Sequence, residues 1–505
     1  MKRFLKSARL LPPPAGEDVP FFVPVSVFLH RMRRISTATF VHFTDFLFSK
    51  RKNEFLSNLN LHFLRSWHII SLKYPGRMIL MTPYSCMSTE ELEREHARVL
   101  AHYDTLKAQG LKLNMARGKP AKAQLDQVSD ILTTLQTPED CFDGDIDARN
   151  YGELAGLPCA RKYWAEVLDC KPEQVFVGGA ASLNMMFDVV SRAYTHGLLD
   201  SPRPWCREEK IKFLCPSPGY DRHFQIGEFF GAELIYIPMT PTGPDMDLVE
   251  EYVKDPAVKM IWTVPKFSNP DGIIYSDDTI RRFANLKPAA PDFAIIWDNA
   301  YGLHEFEGEY TPFPDLLSLC EEAGRPNMVF EFASTSKITF AGGGISCMAA
   351  SVANIHYFTG IFGVQMISYD KVNQLRHVKY LKDKAHTLEI MQRHAAIMAP
   401  KFRCVSRWLE KEVKPAGIGH WFDPMGGYFV SLYTLPGCAK RTWQLCKEAG
   451  VVLTDAGAAY PYRTNPRDDH LRIAPSLPPV EELEKAMEVL TTSLKLAALE
   501  KYLDV

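Results

Sequence analysis

The sequence predicts an α/β protein: a large domain with a mostly parallel sheet covered by helices, plus a smaller α+β domain. Three observations predict it. Between about 175 and 350, short apolar runs alternate with amphipathic stretches, the strand, helix, strand rhythm of a sheet buried on both faces. The residues just after those runs are small, polar or charged, as expected where ligands meet the carboxyl ends of parallel strands. At 505 residues and 46% hydrophobic, the chain can bury two or three domains.

Taken in order, residues 1–86 read as a basic N-terminal extension without an assignable fold. The break Pro12-Pro13-Pro14 is followed by Phe-rich and Arg-rich stretches with no clean period. Scarce acidic residues leave organelle targeting by residues 1–82 open beside an extension with no structural role. Ser88-Thr89-Glu90-Glu91 then opens a capped helix, with Ser88 or Thr89 as N-cap and acids in the first turn. Residues 87–150 form an N-terminal arm and part of the small domain, and 151–385 form the large domain. Its strands are Val175-Phe176-Val177, Lys212-Phe213-Leu214-Cys215, Glu233-Leu234-Ile235-Tyr236-Ile237, Met260-Ile261-Trp262-Thr263-Val264 and Ala294-Ile295-Ile296-Trp297. A long charge-laced helix is predicted over 379–409 and a mixed segment over 420–477, inside a C-terminal small domain, 386–505.

Bulk charge narrows the partners. The net charge of -2 gives no global attraction to nucleic acid or anionic membrane, so a small molecule is the expected ligand. Residues 1–82 carry 13 basic against 4 acidic side chains, which leaves the body at -11. Eleven cysteines, none in a Cys-x-x-Cys pair, favour reduced thiols, and cytoplasm is the default compartment. No apolar run approaches the ~18 residues of a membrane span.

Five strand ends carry coherent chemistry. Gly178-Gly179-Ala180-Ala181-Ser182 opens a helix whose free N–H groups could hold a phosphate. Pro216-Ser217-Pro218-Gly219-Tyr220 would place a flat ring for stacking. The turn Asn269-Pro270-Asp271-Gly272 offers an amide donor to a phenolate-like oxygen. Asp298-Asn299-Ala300-Tyr301 offers a carboxylate for a pyridine nitrogen and a second group for the phenolic oxygen. Last comes Ser334-Thr335-Ser336-Lys337, then Gly342-Gly343-Gly344. There one amine among hydroxyls and glycines suits condensation with the aldehyde of pyridoxal 5'-phosphate.

Together with Arg472, this ordered series resembles the fold-type I pyridoxal-phosphate aminotransferases over roughly 88–500. Ala116-Arg117-Gly118-Lys119-Pro120, Arg149-Asn150-Tyr151-Gly152, Ser336-Lys337-Ile338-Thr339-Phe340 and Val372-Asn373-Gln374-Leu375-Arg376-His377 resemble the bacterial subgroup Ic aspartate aminotransferases. The resemblance implies that Lys337 bonds covalently to the cofactor and shuttles the substrate proton. It implies that Asp298 meets the ring nitrogen, Asn269 and Tyr301 the 3' oxygen, and Tyr220 the ring face. Gly179, Ala180, Ala181, Ser182, Ser334 and Ser336 would cup the phosphate, and Tyr151 would reach the phosphate of a neighbouring subunit in a homodimer with shared sites. Gly118 and Asn269 would border the substrate, and Arg472 would grip its α-carboxylate. Many relatives carry an arginine eight residues after the lysine; here that position is Ile345.

The resemblance implies L-aspartate as amino donor and 2-oxoglutarate as acceptor. A dicarboxylate needs a second cation, for which Arg117, Lys119 and Arg376 are the candidates. The same fold could instead serve an aromatic amino acid, kynurenine or alanine. A regulator sensing pyridoxal phosphate beneath a DNA-binding module would need helix periodicity that residues 1–82 lack. No metal, nucleic-acid or membrane partner is expected.

Overall fold

In the computed structural model, which describes residues 82–505, eight strands form one sheet: β1 (Val175–Gly178), β2 (Lys212–Ser217), β3 (Glu233–Thr240), β4 (Gly243–Pro244), β5 (Val258–Thr263), β6 (Ala294–Asp298), β7 (Val329–Ser334) and β8 (Ser346–Ala350). Their spatial order is β1-β8-β7-β6-β5-β2-β3-β4. The run β7-β6-β5-β2-β3 is parallel, while β8 runs against both β7 and β1, and β4 runs against β3. The parallel strands read as continuous apolar runs because both faces are covered. Val177, Leu214, Ile261, Ile295, Trp297 and Val329 join one apolar cluster. Their neighbours Phe176, Phe213, Cys215, Trp262, Ile296, Phe330 and Phe332 join another on the opposite face.

A third cluster draws on both ends of the described chain. Ser88 caps the helix Thr89–Lys107 through a reciprocal capping box with Glu91. The apolar stripe of this helix (Leu92, Val99, Tyr103, Leu106) packs in the same cluster as Leu483, Met487, Leu490 and Leu494 of the last helix, Val480–Leu503. Tyr103 donates to the Leu445 carbonyl at 3.0 Å, and Leu113–Asn114 pairs in parallel with Val451–Val452. Beside this cluster lies a small antiparallel sheet of β9 (Gly419–Trp421), β10 (Val430–Thr434) and β11 (His470–Ile473).

The helix expected over 379–409 is two helices, Lys371–Leu381 and Lys384–Trp408. Lys382 turns to φ +63°, and Asp383 starts the second helix by accepting from the His386 N–H. The break leaves little mark on the sequence, because charged residues continue across it. The readings on the N-terminal extension and its targeting lie outside the described residues.

Candidate active site

The ends of β1, β2, β5, β6 and β7 open on one cavity of about 510 Å³. That space suits a cofactor with a small substrate. Lys337, Tyr220, Asn269, Asp298, Tyr301, Ser334, Ser336, Ala181, Ser182 and Arg472 all line it, as do Arg117, Gly118 and Lys119. Side chains from five strand ends reach one space because parallel strands all deliver their carboxyl ends to the same edge.

Lys337 projects from the loop after β7, its Nζ 4.8 Å from the centre of the Tyr301 ring. Burial pushes its ammonium below the usual lysine range, while the Asp298 charge opposes that fall. Asp298, at the end of β6, uses one oxygen on His223 Nε2 at 3.1 Å; the other, Oδ1, is buried without a partner. His223 is itself fixed, stacked on Trp262 at 4.6 Å and edge-on to Tyr220 at 5.0 Å. The Tyr220 hydroxyl is pushed up to about 12 by burial, with Arg222 and Arg472 pulling the other way.

The hydroxyl loop is stitched to the end of β1. Ser334 Oγ donates to Ser336 Oγ, Ser336 Oγ to the Ala180 carbonyl, and Ser346 Oγ to the Gly179 carbonyl at 2.8 Å. Gly179 and Ala180 therefore act through their backbone and do not line the cavity, whereas Ala181 and Ser182 do. Gly178 is required by close approach, since a Cβ there would lie 2.3 Å from Met185 Sδ. Ile345 is buried, with its N–H on Thr335 Oγ1 at 3.0 Å, so it closes the loop instead of offering charge.

Arg472, on β11, crosses to the large sheet. Its Nη1 donates to Asn269 Oδ1 at 3.2 Å and lies 3.4 Å from Asp221; its Nη2 donates to Thr454 Oγ1 at 3.1 Å. The guanidinium lies over Phe429 and its Nε is buried without a partner. The turn that presents Asn269 begins at Phe267, which holds φ +48°, a conformation costing a bulky residue on the order of 1 kcal/mol. Gly426 and Gly427 make room for it: a Cβ on either would approach Phe267 to 2.4 or 2.8 Å.

Two expected residues lie elsewhere in this chain. Tyr151 is 81% exposed and outside the cavity. Arg376 turns to Asn373 on its own helix. Polar residues lining or supporting the cavity that were not singled out from sequence include His223, Asp221, Arg222 and Thr454. The spacing of His223, one helical turn after Tyr220, was the available signal, but a lone histidine near a helix start reads equally well as surface.

The residues present fit pyridoxal phosphate. A buried carboxylate oxygen without a partner faces a ring-sized space, an amine of lowered basicity stands near it, and helix N–H groups and two serines rim one end.

Residues 87–504 match the family model described as aspartate amino-transferase. The chain is 45% identical over 423 residues to the aspartate aminotransferase of Corynebacterium glutamicum, covering 83% of this chain and 98% of that one. The crystal structure of an aspartate transaminase from the same organism superposes with a TM-score of 0.82 at 46% identity, covering 84% of this chain and all of that one. LysN, the α-aminoadipate aminotransferase of Thermus thermophilus, solved with N-(5'-phosphopyridoxyl)-L-leucine, shares the fold at 21% identity and a TM-score of 0.63, covering 82% of this chain and all of that one.

Proposed function

The chain belongs to the aspartate amino-transferase family, and from that premise we propose that it transfers the amino group of L-aspartate to 2-oxoglutarate, giving oxaloacetate and L-glutamate, with pyridoxal 5'-phosphate held on Lys337. It is a transaminase. One juxtaposition supports the residue roles above all: Lys337, with its lowered basicity, and Arg472, with guanidinium groups left to bind, line a single cavity.

Bound there, the cofactor would supply an electron sink for the charge left at the substrate Cα. The chain's own groups do the rest. Lys337 Nζ would take the proton from the substrate Cα and hold it for redelivery, a task eased by burial that favours the neutral amine. Asp298 Oδ1, aimed by His223, would pair with the ring nitrogen, while Asn269 and Tyr301 would hold the 3' oxygen and Tyr220 would cover the ring. The N–H groups at 181–182 with Ser334 and Ser336 would hold the phosphate. Arg472 orients the α-carboxylate as a fork. Arg117 and Lys119, without carboxylate partners among the described residues, are free to meet the distal carboxylate. Tyr151, turned outward, serves a second copy of the chain in a homodimer. Free cysteines throughout the described residues support a reducing cytoplasmic setting. Among those residues no helix is long and apolar enough to cross a membrane.

The test is oxaloacetate formation from L-aspartate and 2-oxoglutarate by the cofactor-loaded protein, with Lys337→Ala alongside. The variant is expected to lose on the order of 1000-fold or more in rate. A loaded wild type silent with aspartate but active with other amino donors would overturn the substrate; a protein that takes up no cofactor would overturn the whole reading.

A further inference from the structure

The turn carrying Asn269 meets the small sheet at two points, and only one of them touches substrate. On the sheet, Ser431 of β10 stands opposite Arg472 of β11, and Tyr433 opposite His470. Residues two apart on a strand share a face, so these four side chains form one polar face. On the turn, Asn269 accepts from Arg472, and Asp271, two residues on, accepts from the Tyr433 hydroxyl at 2.9 Å, with the Ser431 hydroxyl near by. Ser431 Oγ lies 2.9 Å from His470 Nε2. The two-residue step of the turn thus matches the two-residue step of the strand, and neither contact can slide without breaking the other.

Asp271 is 1% exposed and has no ion-pair partner among the described residues. An unpaired carboxylate buried at the seam between the two sheets is a costly device if its purpose is adhesion alone. We propose that Asp271 is a positioning residue for amino acid binding: its bond to Tyr433 fixes how the Asn269 turn seats beside Arg472, and so where that guanidinium meets the substrate carboxylate. This rests on the transaminase reading of the site.

The groups facing Asp271 behave simply. The hydroxyls of Tyr433, Tyr236, Tyr275 and Tyr460 are all pushed up and stay neutral, and His470 is pushed down to about 3 by burial and by Arg472. Burial lifts the Asp271 carboxyl to about 6, with both hydroxyls opposing the rise. Ionised, it accepts from Tyr433 through a charge-assisted bond. Protonated, it is the weaker acceptor, and the Tyr433 bond loosens. The seat is therefore whole above the Asp271 titration and loosened below it, so KM for the amino acid rises as pH falls.

Steady-state kinetics of the loaded wild type, Tyr433→Phe and Asp271→Asn would be followed from about pH 5 to about pH 8.5, with a titration by succinate, which cannot react, and a melting curve for each. Tyr433→Phe is expected to raise KM for aspartate and 2-oxoglutarate, and Kd for succinate, about 10-fold, with kcat within about 3-fold of wild type. Asp271→Asn is expected to abolish the rise of KM toward acid. Unchanged KM and Kd in both variants, or a loss confined to kcat, would overturn the proposal. Should wild type turn over another donor but not aspartate, the substrate reading alone fails, and the same variants are judged on the KM of that donor. Should one variant melt far below wild type, the other decides.

Discussion

Glu331 lies one layer beneath the chemistry, on the sheet face away from the aromatic cluster of Trp262 and Phe332, and its one hydrogen-bond partner is the Asn299 side chain at 3.0 Å. Burial lifts its carboxyl to about 8, with the charges of Asp315 and Asp169 adding to the rise. A carboxyl raised on folding holds its proton in the native state after the unfolded chain has lost it. Stability is therefore full below the unfolded value and declines as pH rises toward about 8. Glu331→Gln keeps the shape and removes the titration. The variant is expected to hold its Tm between about pH 5 and about pH 9, while wild type loses several degrees, on the order of 3 °C or more. Equal slopes would mean that solvent reaches this carboxyl. At this scale the sequence was legible where a residue type has few uses: a lysine among serines and glycines, or an aspartate ending an apolar strand. It was illegible where the role depends on what stands behind. His223 matters through Asp298 and Trp262, residues 75 and 39 positions away, and no local pattern joins them.

The helix Lys371–Leu381 shows what an element can do that a motif cannot announce. Asn373 Nδ2 donates to the carbonyls of Gly343 and Gly344, and His377 Nε2 lies 3.0 Å from Thr339 Oγ1, so one helix face clamps both limbs of the loop after Lys337. His377 is held neutral, pushed down to about 4 by burial. With the buried Ile345 closing this loop through its N–H on Thr335, the pocket proposed for the cofactor phosphate draws on loop order at that point and not on charge. Asn373→Ala is expected to weaken cofactor retention about 10-fold, read as a faster loss of bound cofactor on dilution, with a small change in melting. Retention equal to wild type would remove the clamp from the account. The sequence supplied the motif containing Asn373 but put its weight on Arg376, since a cation is the conspicuous member of such a run. Strand positions were legible because two buried faces write an unbroken apolar string. The reversal of β8 was not, because direction leaves no mark on a strand's composition.

Among the described residues, the proposed site draws on a large sheet, built from one continuous stretch, and on a small sheet beside a cluster drawn from both ends of the described chain. The relative from Corynebacterium glutamicum is covered over 98% of its length while 83% of this chain takes part. The family model likewise begins at residue 87. A chain starting at residue 82 is thus expected to transaminate with kcat/KM within about 2-fold of the full chain, a result that a coupled rate assay decides. The assignment of 87–150 and 386–505 to one small domain rests on the family resemblance, because pairing across such a distance follows from packing and leaves no periodicity to read.

That pairing sets an order of construction. The stripe of the helix Thr89–Lys107 waits for Val480–Leu503, which leaves the ribosome about 370 residues later. Every strand of the large sheet, and Lys337 with it, emerges in between. The strand ends around Lys337 can therefore be in place while Arg472 is still being added, so during synthesis the proposed cofactor side precedes the group proposed to orient the α-carboxylate.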